Sequence, residues 1–324
     1  MTQDRRHREC RYFVIIAVAV LALVAVVAVV GVPASLRTSG SGSCEAADAA
    51  PGGRWCRVYQ EDFTTPAPLG SFTNKPATDW HLTPDHPYAR SLRSYPDGWG
   101  TTSDWSLNYA SRTTDVVPRA KGAGGVLRVH GHTEEVNGRP QALAGSFYPV
   151  INPMAKDGRQ QVAQTYGRYT VRFTTSGGYR PTSTGRYPDS TEEPRYGTAF
   201  LLWPANDRWA DGEVDYPEMA WGAPVAGYVH TIGRPEVNSD DVVTSTSTEG
   251  RWNTAVVEWT PGLLVFSLNG VEIRRVTTNV PSTPFRWGFQ SGGTFGTPAA
   301  DLSGYLYVDA ISIDAYAPTG GEAR

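Results

Sequence analysis

Three carboxylates crowd one short segment: Glu213, Asp215 and Glu218 close the run Trp203-Pro204-Ala205-Asn206-Asp207-Arg208-Trp209-Ala210-Asp211-Gly212-Glu213-Val214-Asp215-Tyr216-Pro217-Glu218. Acidic groups this close repel one another and raise at least one pKa, which a folded chain tolerates only for some gain. Two chemistries supply such a gain. Cleavage of a glycosidic bond with retention of configuration needs one protonated carboxyl and one carboxylate about 5–5.5 Å apart. A carboxylate cluster also binds calcium. The surrounding Trp203, Trp209, Tyr216 and Trp221 favour the first, since sugar rings stack their C–H faces on aromatic rings and a calcium site needs none. The acidic pairs Glu134-Glu135, Glu192-Glu193 and Asp240-Asp241 sit in polar, turn-like stretches and read as solvated.

A strand is the element that can present the three groups together. Glu213 and Asp215 are two apart and point the same way on a strand. Glu218 would face away under strict alternation, and a β-bulge at Tyr216-Pro217 would return it to their side. Proline suits a bulge because it cannot donate to the ladder. Strand patterns recur elsewhere. Tyr169, Val171 and Phe173 alternate with Arg168, Thr170 and Arg172. Leu264, Phe266 and Leu268 run into Asn269-Gly270 and then Val271 and Ile273, a strong hairpin signal. Tyr305, Tyr307, Ile311 and Ile313 are expected to share one strand face. No long 3.6-residue period follows residue 32, so the fold class is all-β, a sandwich or barrel. The segment from Ser176 to Arg195, rich in Gly, Pro, Ser, Thr and charge, is expected to be a long surface loop.

The remaining composition narrows the setting. The 324 residues are 40% hydrophobic and 11% aromatic, ample for a large core, and the formal net charge of −3 gives no basic stripe for nucleic acid. Arg5, Arg6, His7, Arg8 and Arg11 precede an uncharged apolar run from Phe13 to Val32, long enough to cross a bilayer as a helix. Residues 1–12 then form a cytoplasmic flank, 13–32 a membrane anchor and 33–54 a flexible tether. A domain over 55–318 lies on the extracytoplasmic side, and 319–324 form a disordered tail. Cleavage after Val32-Pro33-Ala34 would instead secrete the domain. Cys10 lies on the reduced side, whereas Cys44 and Cys56 lie beyond the membrane and are expected to pair as a disulfide. No cysteine spacing suggests zinc.

The segment Glu213-Val-Asp215-Tyr-Pro-Glu218 resembles the E-x-D-x-x-E signature of family 16 glycoside hydrolases, in the bulged form of the laminarinase and carrageenase branches. Tyr166-Gly-Arg-Tyr-Thr-Val-Arg-Phe173, Tyr228-Val-His230-Thr, Val257-Glu-Trp-Thr-Pro261 and Tyr307-Val-Asp309 resemble other strands of that family, in the same order. The resemblance implies a β-jelly roll of concanavalin A-like type with a cleft across one sheet. It implies Glu213 as nucleophile, Glu218 as acid and base, and Asp215 as the group that tunes the nucleophile. It places Trp203 and Trp209 on the cleft floor and His230 near the leaving-group side, with Trp221, Trp287 and Gln290 also facing substrate. Two departures bear on the substrate: Met219-Ala220-Trp221-Gly222 follows the triad, and Phe285-Arg-Trp-Gly-Phe-Gln290 replaces a more Asn-rich strand. A structural calcium involving Asp309 is implied on the other side of the fold, and no cofactor is implied for catalysis. The activity implied is endo-hydrolysis of a β-1,3- or mixed-linkage glucan, or of a galactan, by a monomer. Transglycosylation at the same site is the alternative. A non-catalytic carbohydrate-binding relative would lack the catalytic glutamates, and both are present.

Overall fold

In the computed structural model, residues 48–74, 80–101, 105–119, 124–151, 161–179, 193–294 and 296–319 are described. Apolar residues at every second position make these segments strands, and two sheets result. The first runs in the order β17 (Val271–Val276), β16 (Leu263–Leu268), β15 (Asn253–Thr260), β10 (Gly167–Gly177), β19 (Gly304–Pro318), β6 (Gly125–Val136), β7 (Arg139–Ala144) and β4 (Ser106–Asn108). On its flanks β2 (Gly53–Glu61) pairs with β19 and carries β1 (Asp48–Ala50), and β5 (Thr114–Pro118) pairs with β6. The second runs in the order β14 (Arg234–Ser247), β13 (Pro224–Thr231), β12 (Glu213–Ala220), β11 (Arg195–Pro204), β18 (Phe285–Thr294), β8 (Phe147–Pro149) and β3 (Leu92–Ser94), with β9 (Ala163–Gln164) on β18. One helical turn, α1 (Ala110–Thr113), and a 3-10 turn at Trp209–Asp211 are the helical elements among the described residues.

The sheets close on each other through aromatic side chains. Phe173 of β10 meets Phe200 of β11 at 5.7 Å, Tyr216 of β12 meets Phe266 of β16 at 5.3 Å, and Trp259 of β15 meets Phe285 of β18 at 5.5 Å. Such pairs add to the burial of large apolar rings, the main favourable contribution to this core. Tyr169, Val171 and Phe173 are all buried, as the alternation predicts. Asn269 and Gly270 both take positive φ, 53° and 82°, and join β16 to β17 as a tight hairpin.

Several expectations need correction. Order begins before Trp55: β1 pairs Asp48 with Trp55 and Ala50 with Gly53, so residues 48–54 belong to the sheet rather than to a tether. Tyr305 and Tyr307 do not share a face with Ile311 and Ile313. Arg172 pairs with Ala310 while Phe173 pairs with Val308, so Asp309 is an extra residue on β19. That bulge turns Leu306, Val308, Ile311 and Ile313 inward and leaves the two tyrosines half-buried on the outside. The expected loop from Ser176 is shortened at both ends, because β10 reaches Gly177 and β11 starts at Arg195. Cys56 is disulfide-bonded, and Cys44, its expected partner, lies outside the described residues. The apolar run 13–32 and the tail from 320 also lie outside them. Among the described residues no helix is long and apolar enough to cross a membrane.

Candidate active site

The carboxylates owe their arrangement to the register of β12. On β11, Ala199 and Leu201 face Glu218 and Asp215, so two steps on one strand oppose three on the other. The same irregularity appears against β13, where Ala226 and Tyr228 face Glu218 and Asp215. The extra residue falls at Tyr216-Pro217, as expected, and their peptide bond is cis. Val214, Tyr216 and Met219 therefore enter the core, and the Tyr216 hydroxyl donates to the Ser267 carbonyl of the opposite sheet at 3.0 Å. Glu213, Asp215 and Glu218 are left together on the outer face. Asp215 and Glu218 are each only 4% exposed although they point away from the core, so they line the floor of a recess.

Gly212 sets the approach to that strand. Its φ of 103° suits glycine, and it links the 3-10 turn to Glu213. The turn carries Trp209, whose Nε1–H donates to Glu213 Oε2 at 2.6 Å. From β13, His230 reaches across the row. Its Nε2–H donates to Asp215 Oδ2 at 2.8 Å and lies 3.8 Å from Glu213 Oε2, while its Nδ1–H donates to the Pro235 carbonyl at 2.7 Å. With an acceptor at each ring nitrogen, His230 is held as an imidazolium, its pKa raised to about 10 against the cost of burial.

One imidazolium thus serves three carboxyl groups. Burial raises Glu213 to about 8, with the Asp215 charge adding to the rise and His230 and Trp209 opposing it. Burial also raises Glu218 well above its ordinary value, with Asp215 and Glu213 repelling its anion and only the more distant His230 cation opposing. Trp209 donates to Glu213, and among the described residues no comparable bond supports an anion at Glu218. Glu218 is therefore the group that keeps its proton, and Glu213 the one equipped to carry charge. Asp215 Oδ1 is buried and receives no N–H, and the Asp215 carboxylate hydrogen-bonds the Glu213 carboxyl beside it. Donor atoms of Glu213, Asp215 and His230 lie within 4.8 Å of one another. Both ring nitrogens of His230 already have oxygen partners, so in this arrangement the ring presents no free nitrogen to a metal.

The other predicted residues divide. Trp203 of β11 faces outward opposite Arg286 of β18, half-buried, with its Nε1–H on Asp207 at 3.0 Å. Gln290 also faces outward, in the row of Ala199 and Glu218, and donates to the Tyr95 hydroxyl at 2.7 Å. Trp221 and Trp287 do not reach the site. Trp221 lies two residues after the inward Met219, fully buried, and donates to Thr198 Oγ1 at 2.9 Å. Trp287 sits on the inner face of β18, stacked on Tyr169 and Phe200. Both are core residues by strand parity. Asp309 presents no free oxygen to a calcium ion: Arg119 binds its Oδ1 at 2.7 Å and Arg172 its Oδ2, so both oxygens already serve cations. The pattern of carboxylate donors that calcium requires is absent around it among the described residues.

Sequence reasoning missed the wall formed by residues before β6. Trp80 contacts Tyr95 at 4.4 Å, Trp99 at 5.4 Å and Tyr148 of β8 at 5.5 Å. Gly288 lets β8 come this near, since a Cβ there would lie 2.5 Å from the Phe147 carbonyl. Ala199, Leu201 and Gly288 separate this aromatic group from the carboxylates, a low floor between two walls. The signal available in the sequence was the density of Trp and Tyr over residues 80–99, which alternation alone does not assign to a face.

The fold has counterparts among solved structures. SCLam, described as a non-specific endo-β-1,3(4)-glucanase from family GH16, superposes with a TM-score of 0.55 at 18% identity, covering 84% of this chain and 95% of that one. An endo-β-1,3-glucanase from Pyrococcus furiosus gives 0.56 at 12% identity, over 84% and 98% of the two chains. LamAcat from Zobellia galactanivorans gives 0.52 at 13%, over 79% and 96%. At these identities the likeness establishes the fold, the two-sheet jelly roll of such glucanases. No family model and no curated protein matches the sequence.

Proposed function

We propose that this chain is a retaining, endo-acting glycoside hydrolase of family 16 that cleaves a β-linked glucan. The observation that carries the reading is the unequal treatment of two glutamates on one strand face: Glu213 receives an indole N–H and a nearby imidazolium, Glu218 neither contact. In the first step a Glu213 carboxylate oxygen attacks the anomeric carbon while the Glu218 proton passes to the glycosidic oxygen, which leaves as an alcohol. In the second, Glu218 removes a proton from water, the resulting oxygen attacks the anomeric carbon, and Glu213 is released as carboxylate. Asp215, hydrogen-bonded to His230, makes the Glu213 carboxylate more basic and so favours its attack on the anomeric carbon. Four strand spacings separate β12 from β3, about 19 Å at the usual ~4.8 Å each, which suits binding several sugar rings within a long chain. Structural neighbours that act on β-1,3- and β-1,3(4)-glucans favour glucan over galactan. The uncharged apolar run from Phe13 to Val32 supports a domain outside the cytoplasm, behind an anchor or a cleaved signal.

The test is the anomeric configuration of fresh product. Incubating the full chain with a β-1,3-glucan and recording NMR spectra at once should show the β-anomer first, with α appearing only by mutarotation. An initial α-anomer would mean a single displacement by water and would remove Glu213 from its role.

A further inference from the structure

Beside the carboxylates, the floor of the recess carries a charged group that the reaction does not use. Arg286 lies between the buried Phe285 and Trp287 on β18 and so faces outward, opposite Trp203 in the β11–β18 register. Its side chain is 20% exposed and faces outward, so a ligand on this face can approach it. Alone it would be a ready site for a sulfate or carboxylate. It is not alone. Asp207, in the turn after β11, binds Arg286 Nη2 through the same Oδ1 that accepts the Trp203 Nε1–H at 3.0 Å. Asp207 holds a left-handed backbone, φ 59°, and its N–H returns to the Pro204 carbonyl at 3.0 Å, so the turn holds the 55% exposed carboxylate against Arg286 and Trp203.

We infer that Asp207 is a specificity-determining residue: it cancels the Arg286 charge and fixes the Trp203 indole, so that this part of the recess accepts an uncharged sugar and disfavours a sulfated or carboxylated one. The inference rests on the glycan-binding reading of the site given above. An anionic substituent arriving at Arg286 must displace a carboxylate already hydrogen-bonded there and then lie beside it, a like-charge contact in a partly desolvated place. A neutral ring needs only the indole face, whose orientation Asp207 sets. The same pair bears on neighbouring groups, since Arg286 and Asp207 act in opposite directions on the Tyr95 and Tyr148 hydroxyls.

The experiment compares a neutral β-1,3-glucan with the same polymer carboxymethylated, so that backbone and linkage are constant. Asp207→Asn keeps an oxygen for the indole and the guanidinium but removes the charge. The ratio of kcat/KM for carboxymethylated over neutral polymer should rise about three- to tenfold in low salt, the scale of one half-exposed charge pair, and return toward the wild-type ratio at high salt. Adding Arg286→Gln to that variant should abolish the rise, which a merely structural role of Asp207 would not explain. An unchanged ratio in Asp207→Asn, or a rise that survives Arg286→Gln or high salt, would overturn the inference. Titration of both oligosaccharide forms into the Glu218→Gln background separates this from the proposed reaction. Charge-dependent binding without any wild-type turnover would sink the hydrolase and keep the role of Asp207; turnover with no charge effect would do the reverse.

Discussion

Two strands of this molecule bury acids, and they treat them in opposite ways. On β19, Asp309 is held by Arg119 and Arg172, and Asp314 by Arg57 at 2.6 Å and Arg168 at 2.8 Å. Each aspartate has two guanidiniums, one for each oxygen. On β12, Glu213, Asp215 and Glu218 share a single imidazolium among the described residues, and an Asp215 oxygen meets no cation. Burial alone does not distinguish the two sets, for Asp309 at 5% exposed and Asp215 at 4% are equally hidden. The difference lies in compensation. Acids that hold sheets together are neutralised by fixed cations, whereas the acids on β12 are left short of positive charge, which keeps a proton within the cluster. A deficit of this kind costs stability and marks a working site.

The comparison breaks most clearly through substitution. Glu213→Gln should leave no measurable turnover, since an amide cannot serve as the nucleophile, yet should raise stability by roughly 1–2 kcal/mol at pH 8. Because Glu213 in the fold holds its proton up to about pH 8 while an unfolded glutamate releases it near 4.5, native stability falls as pH rises through that window. The gain from the variant should therefore vanish at pH 4, and thermal unfolding at the two pH values measures both. Asp314→Ala should act in the other direction, costing about 2–3 kcal/mol with turnover retained; the part-exposed guanidiniums keep the loss below that of a fully buried pair. If both substitutions moved stability the same way, charge compensation would not separate the two regions.

Acid and base dependence sharpens the contrast. Activity requires ionised Glu213 and protonated Glu218, so kcat/KM should fall on the acid side with a midpoint above the ordinary glutamate value of 4.5 and toward about 8. A smaller effect belongs to His230, whose cation lowers the Glu213 pKa. His230→Asn should move that limb to higher pH, with about tenfold loss at pH 6 and far less at pH 9. An equal loss at both would make His230 a packing residue only.

The row of residues from Glu213 to Glu218 was legible in the sequence because a strand's period of two leaves few choices, and Tyr216-Pro217 marked where that period slips. The same rule, applied without the bulge at Asp309, misassigned Tyr305 and Tyr307, since a bulge forced by pairing partners leaves no proline to signal it. Strand parity also decides Trp221 and Trp287, but only once the register against β11 and β18 is known.

The chain by itself determined the all-β class, the hairpin at Asn269-Gly270 and the three acids on one face, because these depend on contacts between near neighbours in sequence. Tertiary structure alone decided which cation meets which acid. His230 reaches Asp215 across fifteen residues, Arg172 reaches Asp309 across 137, and Arg286 reaches Asp207 across 79. Electrostatic compensation acts over a few ångströms of space and is indifferent to separation along the chain, so only the packed sheets could show that Asp309 is paired, that Asp207 is paired, and that the β12 acids are left in deficit.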